Sequence, residues 1–176
     1  IYVAEADCIL CLFPENNGYP VAANGVLTVV PYTMDTGVPV EQPAGQFTTQ
    51  PMLHGGLFVG AAWVPASKIG GVGALYLYEG WGDTFCTVLT PSSLNFKTCT
   101  WAWSKQSFSG PLPPNKSNMP QNLGNAQAES AQGKWMWVPQ LGCLAWHDGP
   151  NPSGVCADGV TRAGIVQLWN PPGTTI

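Results

Sequence analysis

Charge is what this chain of 176 residues has least of. Only 16 residues are ionised at neutral pH, 9% of the total, against about 25% in an ordinary soluble domain. Six Lys and Arg residues scattered among ten Asp and Glu leave a net charge of -4 and no basic stripe, so a nucleic-acid partner is not expected. Histidine is almost absent as well: His54 and His147 stand apart, which is too few for a cluster of imidazole ligands, and no metal and no cofactor are expected. Long apolar runs are missing. The longest stretch, residues 57 to 78, is broken by Pro65, Ser67, Lys68 and four glycines, so no membrane span is expected. The opening IYVAEADC has neither the basic start nor the apolar centre of a signal peptide, and the expectation is that any such peptide has been removed.

Polarity comes instead from 41 Ser, Thr, Asn and Gln residues, and local structure is punctuated by 21 Gly and 17 Pro. Gly and Pro are poor inside helices and favoured in turns, so the composition points to many short strands. Runs rich in β-branched and aromatic residues fall at Val26 to Tyr32, Leu57 to Val64, Ala74 to Tyr78, Phe85 to Thr90, Asn95 to Trp103, Lys134 to Val138, Gly142 to Trp146 and Gly164 to Trp169. This spacing predicts an all-β fold, an antiparallel β-sandwich of immunoglobulin-like or lectin-like kind with long loops. One short helix or turn is expected at NLGNAQAESAQGK, capped by Asn125. One domain is expected over 1–170, with PPGTTI at 171–176 read as the start of a linker to a second domain.

Six cysteines allow 15 pairings, and spacing narrows them. Cys86 and Cys99 enclose TVLTPSSLNFKT, which reads as a hairpin folding about Ser92 and Ser93 and would set the two cysteines opposite each other within disulfide reach. Cys143 and Cys156 have the same offset around the turn-rich DGPNPSG. Cys8 and Cys11 sit in the strand-like DCILCLF, where positions i and i+3 are too far apart to bond unless the chain turns there. Two such bridges imply an oxidising compartment.

Catalytic signals are sparse. There is no Gly-x-Ser-x-Gly elbow and no Gly-rich loop ending in Lys-Ser or Lys-Thr, and Glu79 and Asp83 around Trp81 read as solvated acids of a loop, so no enzyme is expected. The stretch AWHDGPNPSG gathers Trp146, His147, Asp148 and Asn151, a ring with planar polar groups, as a sugar or peptide site needs. In CTWAWSK and KWMWVPQ the pairs Trp101/Trp103 and Trp135/Trp137 are two apart, so each pair shares one face of a strand. One pair is expected in the core and the other at least partly exposed, with Trp101 and Trp103 as further ligand contacts.

The segment GKWMWVPQLGCLAWHDGPNPSGVC, with its Gly-Lys, Leu-Gly-Cys, proline-containing loop and closing Gly-Val-Cys, resembles the end of the receptor-binding domain in two-domain tip adhesins of bacterial chaperone–usher pili, most of all the MR/P-type fimbrial adhesin. The resemblance implies an exported β-sandwich lectin at the fimbrial tip. Such a domain passes through the periplasm, binds a host surface glycan or extracellular-matrix protein without catalysis, and joins the pilus subunits through a following domain. The other reading is a carbohydrate-binding module of a secreted polysaccharide hydrolase, gripping polymer with a row of tryptophans.

Overall fold

Among the described residues, apolar and β-branched runs bounded by Gly and Pro become strands. The structure, a computed structural model, describes residues 1–15, 26–35, 37–43, 46–48, 60–78, 85–107, 135–147 and 166–171. Among these residues the chain is all-β apart from a 3-10 turn at Ala4–Ala6 and a single-turn helix, α1, at Ala66–Ile69. β1 (Tyr2–Val3), β2 (Cys8–Glu15), β3 (Val26–Asp35) and β4 (Val38–Glu41) form a four-stranded sheet in that order. β5 (Gln46–Phe47), β6 (Gly60–Val64), β7 (Ala74–Tyr78), β8 (Phe85–Pro91) and β9 (Thr100–Ser107) form a five-stranded sheet in the order β5-β9-β8-β7-β6. β10 (Trp135–Val138), β11 (Cys143–His147) and β12 (Val166–Trp169) form a third, with β11 in the middle. Every described pairing is antiparallel except β5 with β9.

The five-stranded sheet is apolar on both faces, as β7 shows most plainly. All five residues of its ALYLY sequence are buried. Leu75 and Leu77 belong to one core cluster with Val3, Cys8, Leu10, Leu27 and Val29 of the four-stranded sheet. Ala74, Tyr76 and Tyr78 belong to a second cluster with Trp135, Leu144 and Trp169 of the three-stranded sheet. A strand covered on both faces loses the in-out alternation and becomes a continuous apolar run, the pattern more familiar from buried parallel sheets. Each fully buried Leu or Tyr of this kind contributes about 1.5–3 kcal/mol of hydrophobic stabilisation.

The amino-terminal segment is tied to the five-stranded sheet by one carboxylate. Glu5 accepts a hydrogen bond from Trp63 Nε1 at 2.7 Å and another from the Ala66 backbone N–H at 3.0 Å. The second bond satisfies an orphan donor at the start of α1, which has no side-chain cap of its own. After α1 the chain returns through Gly73 at φ +83°, where an added Cβ would lie 2.6 Å from Trp63 Cζ2 and 2.9 Å from the Val64 carbonyl oxygen. Only glycine meets both demands.

Three prolines, Pro14, Pro31 and Pro39, lie inside the four-stranded sheet without breaking it. The Leu10 N–H donates to the Ile1 carbonyl, so the even-numbered residues of β2, Pro14 among them, turn their backbone groups away from β3. The Gln42 N–H donates to the Pro31 carbonyl, which places the backbone of Pro39 on the outer edge of β4. Pro14 and Pro39 therefore cost no ladder hydrogen bond.

The hairpin expected between Cys86 and Cys99 takes a different register. Cys86 lies opposite Gln106, and β8 runs on to Pro91 opposite Trp101. Residues 92–99 form a loop whose Phe96 is buried, stacked on Trp101 at 5.7 Å between ring centroids and edge-on to Trp63 at 5.9 Å. Burying that ring outweighs a tight turn at Ser92 and Ser93. Cys86 then belongs to one core cluster and Cys99 to the other, so the two do not bridge. Cys8, Cys11, Cys86, Cys99 and Cys143 are all free thiols, and Cys156 lies outside the described residues. Cys8 and Cys11 sit on one strand, β2, the geometry that rules out a local bridge. The helix expected near Asn125 also lies outside the described residues, and α1 falls in a segment for which no helix was expected.

Candidate functional site

The three-stranded sheet carries the residues that the sequence singles out most strongly. Trp135 is opposite Trp146, Met136 opposite Ala145, Trp137 opposite Leu144 and Val138 opposite Cys143. On the other side of β11, Trp146 is opposite Gln167 and His147 opposite Val166. A Val138–Gly142 turn makes the β10–β11 hairpin tight, with the Gly142 N–H donating to the Val138 carbonyl at 2.9 Å and Gly142 itself at φ +63°. Trp146 is therefore a strand residue of β11, as the run Gly142 to Trp146 predicts. Asp148 and Asn151 lie outside the described residues, as do Glu79, Asp83 and His54.

Beneath this sheet sits an aromatic cluster. Trp135 is 4% exposed, tilted against Tyr78 at 5.6 Å and stacked on Trp169 at 6.3 Å, and Trp169 meets Tyr76 edge-on at 5.9 Å. The Trp135 indole N–H donates to the Tyr76 carbonyl at 3.0 Å in a buried bond. Ring pairs of this geometry add about 0.5–1.5 kcal/mol each beyond the area they bury, so the sheet is held firmly against β7.

Each Trp-x-Trp pair does share a face, but the division between buried and exposed runs through both pairs. Trp101 has no exposed surface and belongs to the first core cluster, while Trp103 packs partly buried at its edge. Trp135 is buried and Trp137 packs partly buried against the second cluster. Ala102 and Met136, which point the other way, are exposed. Trp101 is thus a core residue and is corrected from its place among the ligand contacts. Its Nε1 has no hydrogen-bond partner among the described residues.

The thiols are placed for packing. Burial raises the pKa of Cys8, Cys99 and Cys143, and pushes Cys86 up to about 12 and Cys99 to about 11. A thiol that resists ionisation is a poor nucleophile and behaves as a small hydrophobe. No three His, Cys, Asp or Glu residues gather into a metal site among the described residues. None of the described helices is long and apolar enough to cross a membrane.

One cleft opens where the four-stranded sheet meets the 92–99 loop, lined by Ala6, Cys8, Pro31, Thr33, Leu94, Asn95, Phe96 and Lys97. Its volume of about 150 Å³ is below the 300–1,000 Å³ usual for small-molecule sites, and burial raises the pKa of the Cys8 thiol that lines it. No local sequence signal marks it, because its walls come from three distant segments. Its make-up fits a gap at the edge of two sheets better than a reaction centre.

Trp146 and His147, two of the expected ligand contacts, are the last two residues of β11. No match to this chain was found among protein-family models, curated proteins or solved structures.

Proposed function

We propose that the chain is a non-catalytic recognition domain of the surface-adhesin kind, which binds a host glycan or matrix protein through Trp146, His147, Asp148 and Asn151. One observation carries this reading. Trp146 and His147 are the last two residues of β11, the strand hydrogen-bonded on both sides in its sheet. Contacts that begin at such a point are held by the scaffold and need little ordering when a ligand arrives.

On this reading the three sheets stack as a layered β-sandwich with the five-stranded sheet in the middle, supported by the two core clusters that share its strands. Location at the cell surface, reached through the periplasm, belongs to the same reading. It rests on the likeness of residues 133–156 to fimbrial adhesins and on the low charge, because free thiols give no sign of an oxidising compartment. Attachment to pilus subunits would come through a domain following the linker-like 171–176.

A glycan microarray together with immobilised matrix proteins tests the proposal. A specific ligand is expected, with binding lost in Trp146→Ala and in Asp148→Ala while the fold is kept. Binding that survives both substitutions removes this site. Retention on insoluble cellulose or chitin, with no array ligand, favours the polysaccharide-binding module instead.

A further inference from the structure

One row of side chains crosses the outer face of the four-stranded sheet from edge to edge. Tyr2 lies opposite Ile9, Ile9 opposite Tyr32 and Tyr32 opposite Glu41, one residue from each of β1, β2, β3 and β4. Val3, Cys8 and Leu10, their neighbours along β1 and β2, belong to the core, so alternation turns the row outward. Tyr2 is 56% exposed, Glu41 is exposed, and Ile9 and Tyr32 are partly exposed. None of the four belongs to a core cluster.

A carboxylate holds each tyrosine. The Tyr2 hydroxyl donates to Asp7 Oδ1 at 2.8 Å, and the Tyr32 hydroxyl donates to Glu41 Oε2 at 3.0 Å. These bonds raise the pKa of both phenols, which keep their protons as donors. A ring tethered at its hydroxyl as well as at its backbone loses little freedom when a ligand covers it. The second oxygen of each carboxylate has no partner among the described residues and can accept from a further donor.

Spacing and charge narrow the occupant. Neighbouring strands lie about 4.7–4.9 Å apart, so Tyr2 and Tyr32, two strands apart, are separated by about 9.5 Å at the backbone. That is close to the span of two pyranose units in an extended β-1,4-linked chain. Protein interfaces are depleted of Asp and Glu at their centres, whereas sugar hydroxyls need such acceptors. β1 to β4 contain no Lys or Arg, so nothing in these strands attracts an acidic sugar, and Asp7 and Glu41 repel one.

We propose that this face is a second binding site, which takes a neutral, extended β-1,4-linked saccharide across the strands. Tyr2 and Tyr32 stack on alternate sugars, and Asp7 and Glu41 accept hydrogen bonds from the sugar hydroxyls. The site is separate from the end of β11, so its failure would leave the proposed function standing.

The test titrates the whole chain, labelled with nitrogen-15, with cellobiose and cellotetraose, with chitobiose and chitotetraose, and with the β-1,4-linked tetramer of glucuronic acid. A tetrasaccharide reaches both rings and a disaccharide only one, so one of the neutral tetramers is expected to bind about tenfold more tightly than its dimer. The amides of Tyr2, Ile9 and Tyr32 should shift, and the acidic tetramer should bind more weakly. Tyr2→Ala and Tyr32→Ala should each bring the tetramer down to the affinity of the dimer, with a urea midpoint near that of the parent. Tyr32→Trp, which keeps a ring, should keep the difference between tetramer and dimer. No binding of either neutral tetramer at millimolar concentration, no gain over the dimer, equal binding of the acidic tetramer, or a gain that survives loss of either ring overturns the proposal. Capture of a matrix protein through Tyr2 and Tyr32 without saccharide binding overturns it in favour of a protein partner. Shifts confined to Trp146 and His147 overturn it and leave the proposed function standing.

Discussion

Replacing Gly73 by alanine should destabilise the fold more than the same change at any other described glycine of positive φ. Two costs add at this position. An L-residue in the left-handed region costs about 1–2 kcal/mol, and forcing a methyl group into a packed site costs about 1–3 kcal/mol. The second cost is hard to relieve, because the nearest atoms are Trp63 Cζ2 at 2.6 Å and the Val64 carbonyl oxygen at 2.9 Å. Val64 is held in register opposite Ala74, and the Trp63 ring is fixed by its bond to Glu5 and its contact with Phe96. The expected loss is about 2–5 kcal/mol. Gly71 provides the control: its φ is +62°, but nothing lies within 4 Å of an added Cβ, so Gly71→Ala should cost only about 1–2 kcal/mol. Urea unfolding of both variants at one pH reads the difference as a shift in midpoint. At a slope of roughly 2 kcal/mol per molar, Gly73→Ala should fall about 1–2.5 M below the parent. A Gly73→Ala midpoint no lower than that of Gly71→Ala would refute the packing of the β6–α1–β7 corner described above.

Other expectations can be checked with the same preparations. Trp135→Phe should cost about 1–3 kcal/mol more than Trp101→Phe in urea unfolding, since both shrink a buried ring but only Trp135 gives up a buried bond, the one to Tyr76. An equal cost would mean that Trp101 Nε1 has a partner too. Unfolded without reductant, the chain should release at least five thiols to Ellman's reagent, and in the native state the half-buried Cys11 should react ahead of the buried four; four or fewer would show a disulfide that the geometry does not provide. Stability should fall as pH rises above 9, because the unfolded Cys86 thiol ionises there while the folded one keeps its proton to about 12. The slope from this group is about 1.4 kcal/mol per pH unit, fully absent below the unfolded pKa. Cys86→Ala should flatten that part of the curve, and an unchanged slope would remove Cys86 as its cause.

Much of the fold can be read in the chain itself. Ala74–Tyr78 is a strand at both of its expected ends, because an apolar run between glycines has few alternatives, and its lack of alternation already signals cover on both faces. The i and i+2 pairing of the tryptophans gives their shared faces correctly. Which member reaches the surface is hidden, since that depends on where the neighbouring sheet ends. The expected strand at Asn95 to Trp103 begins five residues late, at Thr100, for a tertiary reason: Phe96 leaves the ladder to fill the space between Trp63 and Trp101. The cysteine pairing failed with it, because equal spacing about a turn fixes partners only if the turn lies at the midpoint. Of the candidate ligand contacts, Trp101 proved to be core, and Trp146 and His147 are the last two residues of a central strand, one residue beyond the expected end at Trp146.

The most direct test of the account follows the ligand to the protein atom by atom. A glycan or matrix-derived ligand identified by array should be titrated into nitrogen-15-labelled chain and followed by amide and indole shifts. The account predicts changes centred on Trp146, His147, Asp148 and Asn151, with the buried Trp101 indole unmoved. Changes centred on the cleft at Cys8 and Lys97, or on Trp101, with the end of β11 silent would contradict it.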